Sequence, residues 1–396
     1  MTAFEGVTVL ELGHVYNGPY CGLLLAHLGA DVIKVEPPGG ERLRYRSTHQ
    51  ETHEFLMINS NKRSIVVDIK NDAGRQVFLD LAAKADVIIE NFAPGTMDRL
   101  GLGPDSLLER NPGLVYATGK GYGTEGPYAH MAAMDITVQA MSGTIASTGL
   151  PDGPPVKAGP AFIDFGSGAH LFGAIAAALY QREKTGRGQI VEVAMLDTVY
   201  PALASALGGL HNDPERQLPE RTGNRHSGLA VVPYNVYRTA DGWLAIIAQS
   251  ERHFTGVCKV IGREDMLTDP RFADRYARME HIDDVDAAVE EWTSTQGRWE
   301  AVRALQEEGV PCAPVLTVRE VDTDPHLLQR GMIREVEHPE RGTIRVSGSP
   351  LHLGDSPLDD VALAPTLAAD TDDVLAGICA YAPEEIARLR AAGAVQ

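Results

Sequence analysis

Short apolar runs of strand type alternate with helical stretches along the first two hundred residues, and few folds accommodate that alternation. Residues 7–13, 31–36, 64–68, 86–90, 114–118 and 190–195 read as strands. Between them, residues 18–29 read as a helix with Pro19 early and Gly29 at its end, and residues 73–84 as an amphipathic helix. Residues 165–184 carry Leu171, Phe172, Ile175, Ala176 and Leu179 on one apolar face, and Thr185-Gly-Arg-Gly188 stops that helix. A helix follows from about residue 197. A strand joined to the next by a helix pairs with it in parallel, so the expectation is an α/β fold with a doubly wound parallel sheet. In such sheets ligands bind beyond the C-terminal strand ends.

The composition changes at residues 211–226, a polar stretch with two prolines that reads as a linker. Residues 231–239 and 243–248 then read as a hairpin turning at Asp241-Gly242. Helices are expected near 253–261, 282–293 and 300–308, β structure at 333–336 and 343–346, and a last helix near 383–391.

A net charge of −19 argues against nucleic acid and anionic membranes as partners. A polyphosphate ligand would need a local basic pocket, for which Lys62-Arg63, Lys70, Arg99 and Lys120 are candidates. No run of about 18 apolar residues is evident, and the first residues lack a basic, hydrophobic leader, so a cytoplasmic protein is expected. The cysteines Cys21, Cys258, Cys312 and Cys379 lie far apart, and His53-Glu54 does not continue into HExxH, so no metal site is expected. Gly13-His-Val-Tyr-Asn-Gly-Pro19 is not GxGxxG, which counts against NAD or FAD. Gly119-Lys-Gly-Tyr-Gly123 lacks the P-loop ending and is either a phosphate cradle or a tight turn. GxSxG is absent.

Asp164 is the residue with the most chemical promise. It stands in Lys157-Ala-Gly-Pro-Ala-Phe-Ile-Asp-Phe-Gly-Ser-Gly168, ahead of the long apolar helix. Gly166 and Gly168 leave room for a ligand near the backbone. The free N–H groups of the helix start favour an ionised, nucleophilic carboxylate. The plainer reading is an N-cap.

Several segments together resemble the family III CoA-transferases, the group that includes formyl-CoA transferase and α-methylacyl-CoA racemase. They are Gly29-Ala-Asp-Val-Ile-Lys-Val-Glu36, Asn61-Lys-Arg-Ser64 with Asp68-Ile-Lys70, Ala85-Asp-Val-Ile-Ile-Glu-Asn-Phe92 with Pro94-Gly95, Leu179-Tyr-Gln-Arg-Glu-Lys-Thr-Gly-Arg-Gly-Gln189, and Gly309-Val-Pro-Cys-Ala-Pro-Val315. Each string is weak alone; their number, order and spacing run over nearly the whole chain.

The resemblance implies a Rossmann-like large domain made from 1–210 and 336–396, with a smaller α+β domain at 227–315 inserted through linkers at 211–226 and 316–335. Two such chains would interlock as a homodimer. It implies that Asp164 is the nucleophile, acylated by an acyl-CoA and then converted to an aspartyl-CoA thioester from which a second carboxylic acid takes the CoA. Coenzyme A is then substrate, with no tightly bound cofactor. The CoA contacts carried over are Tyr16, Asn17, Val67, Lys70, Asn91, Phe92, Arg99, Ala132, Met134 and Asp135. Phe92 packs on the ligand or in the core; Arg99 meets phosphate or pairs with Asp98 or Asp105. Some members have a cation after the position of Glu36, where this chain has Pro37; Arg42 or Arg44 stands in for it.

Both branches share the scaffold, but a racemase needs two proton-handling groups. The His-Asp dipeptide of the racemases reads Met134-Asp135 here, which favours transfer, with Asp135 or His130 as the remaining acid/base candidates. Formyl-CoA transferases also carry a glycine-rich loop, and no Gly-Gly-Gly-Gly run occurs near 231–249, so formate or oxalate specificity is not indicated. Phe165 and Tyr16 suggest an apolar acyl environment; dicarboxylates and branched or aromatic acids stay open. A non-catalytic acyl-CoA binder of the same fold is the alternative from another class.

Overall fold

Val, Ile and Leu on both faces of each strand need apolar cover on both sides, and helices supply it. In the computed structural model, which describes residues 2–46, 51–212, 215, 218–358 and 360–396, the strands β1 (Thr8–Glu11), β2 (Asp31–Glu36), β3 (Arg63–Val66), β4 (Val87–Glu90), β5 (Val115–Lys120) and β6 (Ile190–Ala194) form one parallel sheet. Its order is β3-β2-β1-β4-β5-β6, with Leu10 level with Ile33 on one side and Ile88 on the other. The strand order reverses between β1 and β4.

Alternate side chains feed the two cores. Leu10, Ile33 and Ile88 pack with Phe78 and Leu81 of the helix Asp72–Ala82 and with Val374 and Leu375 of Thr371–Cys379. Val9, Val87 and Ile89 pack with Cys21 and Leu25 of Asn17–His27 and with Leu171, Ile175 and Leu179 of Phe162–Thr185. Asn71 starts the first of these helices by accepting from the Ala73 N–H. The helix Phe162–Thr185 is long and apolar enough by composition to cross a membrane, which the sequence reading missed. Its apolar face is the one that packs on the sheet.

The chain forms two compact units. The first comprises Met1–Val138, Pro160–Thr198 and Thr323–Gln396. The second comprises Gln139–Gly159 and Val199–Asp322. In the second, β7 (Tyr234–Thr239), β8 (Gly242–Ile247) and β9 (Cys312–Pro314) pair antiparallel over Phe254, Val257, Val285, Val289 and Leu305. The first unit also holds the antiparallel pair β10 (Ile333–His338) and β11 (Gly342–Ser347). Of the expected linker 211–226, residues 213, 214, 216 and 217 lie outside the described residues.

Candidate active site

The loops that leave the C-terminal ends of the six parallel strands surround one cleft of about 1270 Å³. It lies where the strand order reverses, the place at which an open parallel sheet offers divergent loops and free backbone groups. His14 and Asn17 enter it after β1, Pro37 after β2, Val67 and Lys70 after β3, Asn91 and Phe92 after β4, Gly119 to Gly123 from the end of β5 onward and Met195 after β6.

Asp164 lines this cleft, 8% exposed. It belongs to the first turn of Phe162–Thr185 instead of preceding it, and it is not the cap. Asp135 takes that place: its Oδ2 accepts from the N–H groups of Ile163 (3.1 Å) and Asp164 (3.2 Å). The expectation that helix-start donors would favour an ionised Asp164 therefore fails, because another carboxylate occupies them. The Asp164 carboxylate has no hydrogen bond among the described residues. Burial, and then the charge of Asp135, push it up to about 7. It is thus poised near neutrality, with a desolvated and reactive ionised form.

Gly168 serves packing instead of ligand approach. A Cβ there would sit 2.7 Å from the carbonyl oxygen of Asn17, so this glycine lets the helices Asn17–His27 and Phe162–Thr185 touch. Gly166 faces open space. Asn17 is buried; its Nδ2 donates to Ser167 Oγ at 2.5 Å, and its Oδ1 is without a partner among the described residues. Tyr16 does not line the cleft; it stacks on Phe165 with ring centroids 5.4 Å apart.

Val67, Lys70, Asn91, Phe92, Ala132 and Met134 line the cleft as expected positions, whereas Arg99 and Asp135 do not. The Arg99 guanidinium donates to Thr96 Oγ1 (3.0 Å) and the Pro94 carbonyl (3.4 Å), bracing its own turn. Asn91 holds protein, too: it accepts from the His14 N–H (2.8 Å) and donates to the His14 carbonyl (2.9 Å). The His14 ring meets Phe92 edge-on at 5.2 Å, and Phe92 also packs against the core, so both readings of that aromatic hold. Burial, helped by Lys34, lowers His14 to about 4, so this imidazole is neutral at pH 7. His14 is a cleft residue that the sequence reading passed over; its place directly after the first strand was the available signal.

The cations separate clearly. Arg42, Arg46 and Lys70 are exposed at the cleft. Arg44 is fully buried against both oxygens of Glu36 (2.5 and 3.0 Å), with its guanidinium 4.0 Å from the Phe55 ring centroid. Of the two proposed stand-ins for a cation after Glu36, only Arg42 is placed for a ligand. Lys120 reaches the cleft but is held by Glu90 (2.8 and 2.9 Å) and the Phe92 carbonyl (2.8 Å). Arg63 pairs with Asp31 at 3.0 Å, and Lys62 is buried. The cleft thus offers an exposed cationic rim, a neutral imidazole, an apolar wall with Met131, Met134 and Met195, and one unpaired carboxylate. That set suits a large ligand with an anionic end and an electrophilic carbon.

Comparison with known proteins bears on which ligand this is. Residues 4–371 match CoA-transferase family III. The chain is 37% identical over 411 residues to the formyl-CoA:oxalate CoA-transferase of Streptomyces coelicolor, covering 99% of each. It is 38% identical over 354 residues to the acetyl-CoA:oxalate CoA-transferase of Acetobacter aceti, covering 88% of this chain and 89% of that one. Among solved structures, a CAIB/BAIF family protein from Brucella suis superposes with a TM-score of 0.83 at 33% identity, covering 95% of this chain and 99% of that one. Rv3272 from M. tuberculosis gives the same TM-score and identity.

Proposed function

The chain belongs to CoA-transferase family III, and from that premise we propose that it moves CoA from an acyl-CoA to a free carboxylic acid through covalent intermediates on Asp164. The Asp164 carboxylate attacks the thioester carbonyl and expels CoA thiolate, leaving a mixed anhydride. The thiolate attacks the Asp164 carbonyl of that anhydride, forms an aspartyl-CoA thioester and releases the first acid. An acceptor carboxylate then attacks this thioester, and the expelled thiolate takes the acceptor acyl group, which regenerates Asp164. No proton is gained or lost over the cycle.

The observation that carries this reading is the buried, unpaired Asp164 in a cleft rimmed by Arg42, Arg46 and Lys70. A carboxylate is a weak nucleophile toward a thioester. Holding it against a tethered thioester offsets that weakness by an effective molarity worth about 7 kcal/mol or more. The rim holds the phosphates, Val67, Asn91 and Phe92 border the CoA body, and Met134 borders the acyl end. Racemase chemistry is disfavoured because, of its two candidate second groups, Asp135 is engaged in capping Ile163 and Asp164, and the exposed His130 is not among the cleft residues. The relatives named for oxalate make small dicarboxylates the first acceptors to try, and the methionine wall leaves room for larger acids.

Two copies interlock as a homodimer, each with a large domain from both chain ends and a small domain between them. The exposed Phe162 and Tyr180 on the outward face of the Asp164 helix support an interface there. The test is to incubate the protein with an acyl-CoA and hydroxylamine and map adducts by mass spectrometry. A hydroxamate on the Asp164 peptide is expected. CoA exchange in the absence of any such adduct would refute the covalent route.

A further inference from the structure

Beneath the cleft lies a cluster of charge that the reaction above does not use. Glu11, Lys34 and Lys62 are 0%, 1% and 5% exposed. Lys62 Nζ donates to Glu11 Oε2 (3.0 Å), Asn59 Oδ1 (2.8 Å) and the Pro19 carbonyl (2.7 Å). Lys34 Nζ donates to the Gly13 carbonyl (3.0 Å) and lies 3.4 Å from both Glu11 oxygens. The two carbonyls mark the two ends of segment 13–19, the loop after β1 together with the first residues of the helix Asn17–His27, which brings His14 and Asn17 to the cleft that Asp164 lines. One buried ammonium holds each end, and one buried carboxylate joins the two.

The middle of the loop is held as well. Asn91 brackets His14 on both sides. Glu41 accepts from the N–H of Val15, which sits at φ +66°, a region that a β-branched residue rarely enters. Gly13 closes on the other end: a Cβ there would lie 2.9 Å from the Gly18 Cα. Strain of this kind persists where surrounding structure over-determines it. The strands β1 and β2 are already joined by their ladder, and Asn17–His27 is already packed on an apolar core. Burying three charges carries a desolvation cost that the fold itself does not require. What the charges add is the position of two carbonyls.

We propose that Lys62 is a positioning residue for the acylation of Asp164: its ammonium, shared between Glu11 and the Pro19 carbonyl in the first turn of Asn17–His27, fixes the loop and helix start that carry His14 and Asn17 against the bound thioester. This rests on the covalent reading of Asp164 given above. The groups facing Lys62 are Glu11 on β1, Lys34 on β2, Cys21 and His27 on Asn17–His27, and Asn59 ahead of β3. Burial lowers Lys62 to about 8, with Glu11 opposing the fall and Lys34 adding to it. Burial raises the Cys21 thiol and lowers His27 to about 4, so both stay neutral, and the two lysines hold Glu11 charged against the effect of its burial. The clamp is therefore present below pH 8 and lost as pH rises through it.

The test is single-turnover acylation of Asp164, read by hydroxylamine trapping from pH 6 to 10, for wild type, Lys62→Met and Lys62→Arg, with acyl-CoA affinity measured in parallel. Lys62→Met is expected to slow acylation about 100-fold at pH 7 while affinity stays within about threefold, the signature of a misplaced rather than a missing contact. Wild type is expected to lose rate above pH 8. Lys62→Arg, whose guanidinium keeps its proton, recovers most of the rate and removes that alkaline fall. A wild-type profile with no fall, an Arg variant that retains it, a Met variant at wild-type speed, or a loss confined to affinity would each overturn the proposal. If Lys62→Met fails to fold, the wild-type and Arg profiles decide. If wild type is not acylated at any pH, the covalent reading fails and the clamp with it.

Discussion

Replacing Asp164 by Asn should stabilise the protein at neutral and alkaline pH, and the gain should vanish towards pH 4.5. The carboxyl is 8% exposed, lacks a hydrogen bond among the described residues, and is raised from 3.8 to about 7 by burial and by Asp135. A carboxyl raised in the folded state binds its proton more tightly there than in the unfolded chain. Below pH 4 both states hold the proton, and the residue costs nothing. Between pH 4 and 7 the unfolded chain ionises first, and stability falls by about 1.36 kcal/mol for each pH unit. Above pH 7 the cost is complete, on the order of 4 kcal/mol. Asparagine has nearly the same shape and no such term, but it leaves an amide without a partner, at about 1–2 kcal/mol. Asp164→Asn is therefore expected to gain about 2–3 kcal/mol over wild type at pH 8.5 and nothing at pH 4.5, while losing transfer activity. Trp243, Trp292 and Trp299 all lie in the second unit, so their fluorescence reports the wrong region. Hydrogen exchange of the Phe162–Thr185 amides under urea reads the right one. Equal gains at both pH values, or no gain at pH 8.5, would refute the burial argument.

Asp135→Asn removes the repelling charge beside Asp164, so the acid limb of the transfer rate should move below pH 7; a limb that stays in place would show that Asp135 does not act on the nucleophile. Arg42 and Arg44 should separate cleanly: Arg42→Ala raises KM for the acyl-CoA several-fold with little change in Tm, whereas Arg44→Ala leaves Glu36 buried without its partner and costs about 3–5 kcal/mol of stability, read by thermal unfolding.

Where the sequence was legible, the reason was local. Six runs of Val, Ile and Leu separated by helical stretches specify a parallel sheet because such strands need cover on both faces, and the strands lie within a few residues of their expected places. Short helices such as His53–Ile58 and Pro104–Arg110 are too brief for a helical period to show, and they were missed. The site was legible only in part. The family resemblance, rather than any local pattern, picked out Asn17, Val67, Lys70, Asn91 and Phe92, and all five line the cleft. Long-range partners were not visible: nothing local tells that Asp135 will take the helix-start donors beside Asp164, that Asn91 will hold His14, or that Arg44 will fold back onto Glu36 while Arg42 stays free. Those pairings depend on loops that meet only once the sheet has formed.

Isotope transfer from the acceptor acid reaches the covalent chemistry most directly. If an acceptor labelled with ¹⁸O in its carboxylate forms an anhydride with Asp164, collapse of that anhydride leaves one labelled oxygen on the aspartate in each turnover. The Asp164 peptide should therefore gain mass within the first few turnovers, levelling off once both carboxylate oxygens are labelled, and no other peptide should. Continued turnover with Asp164 unlabelled would contradict the account.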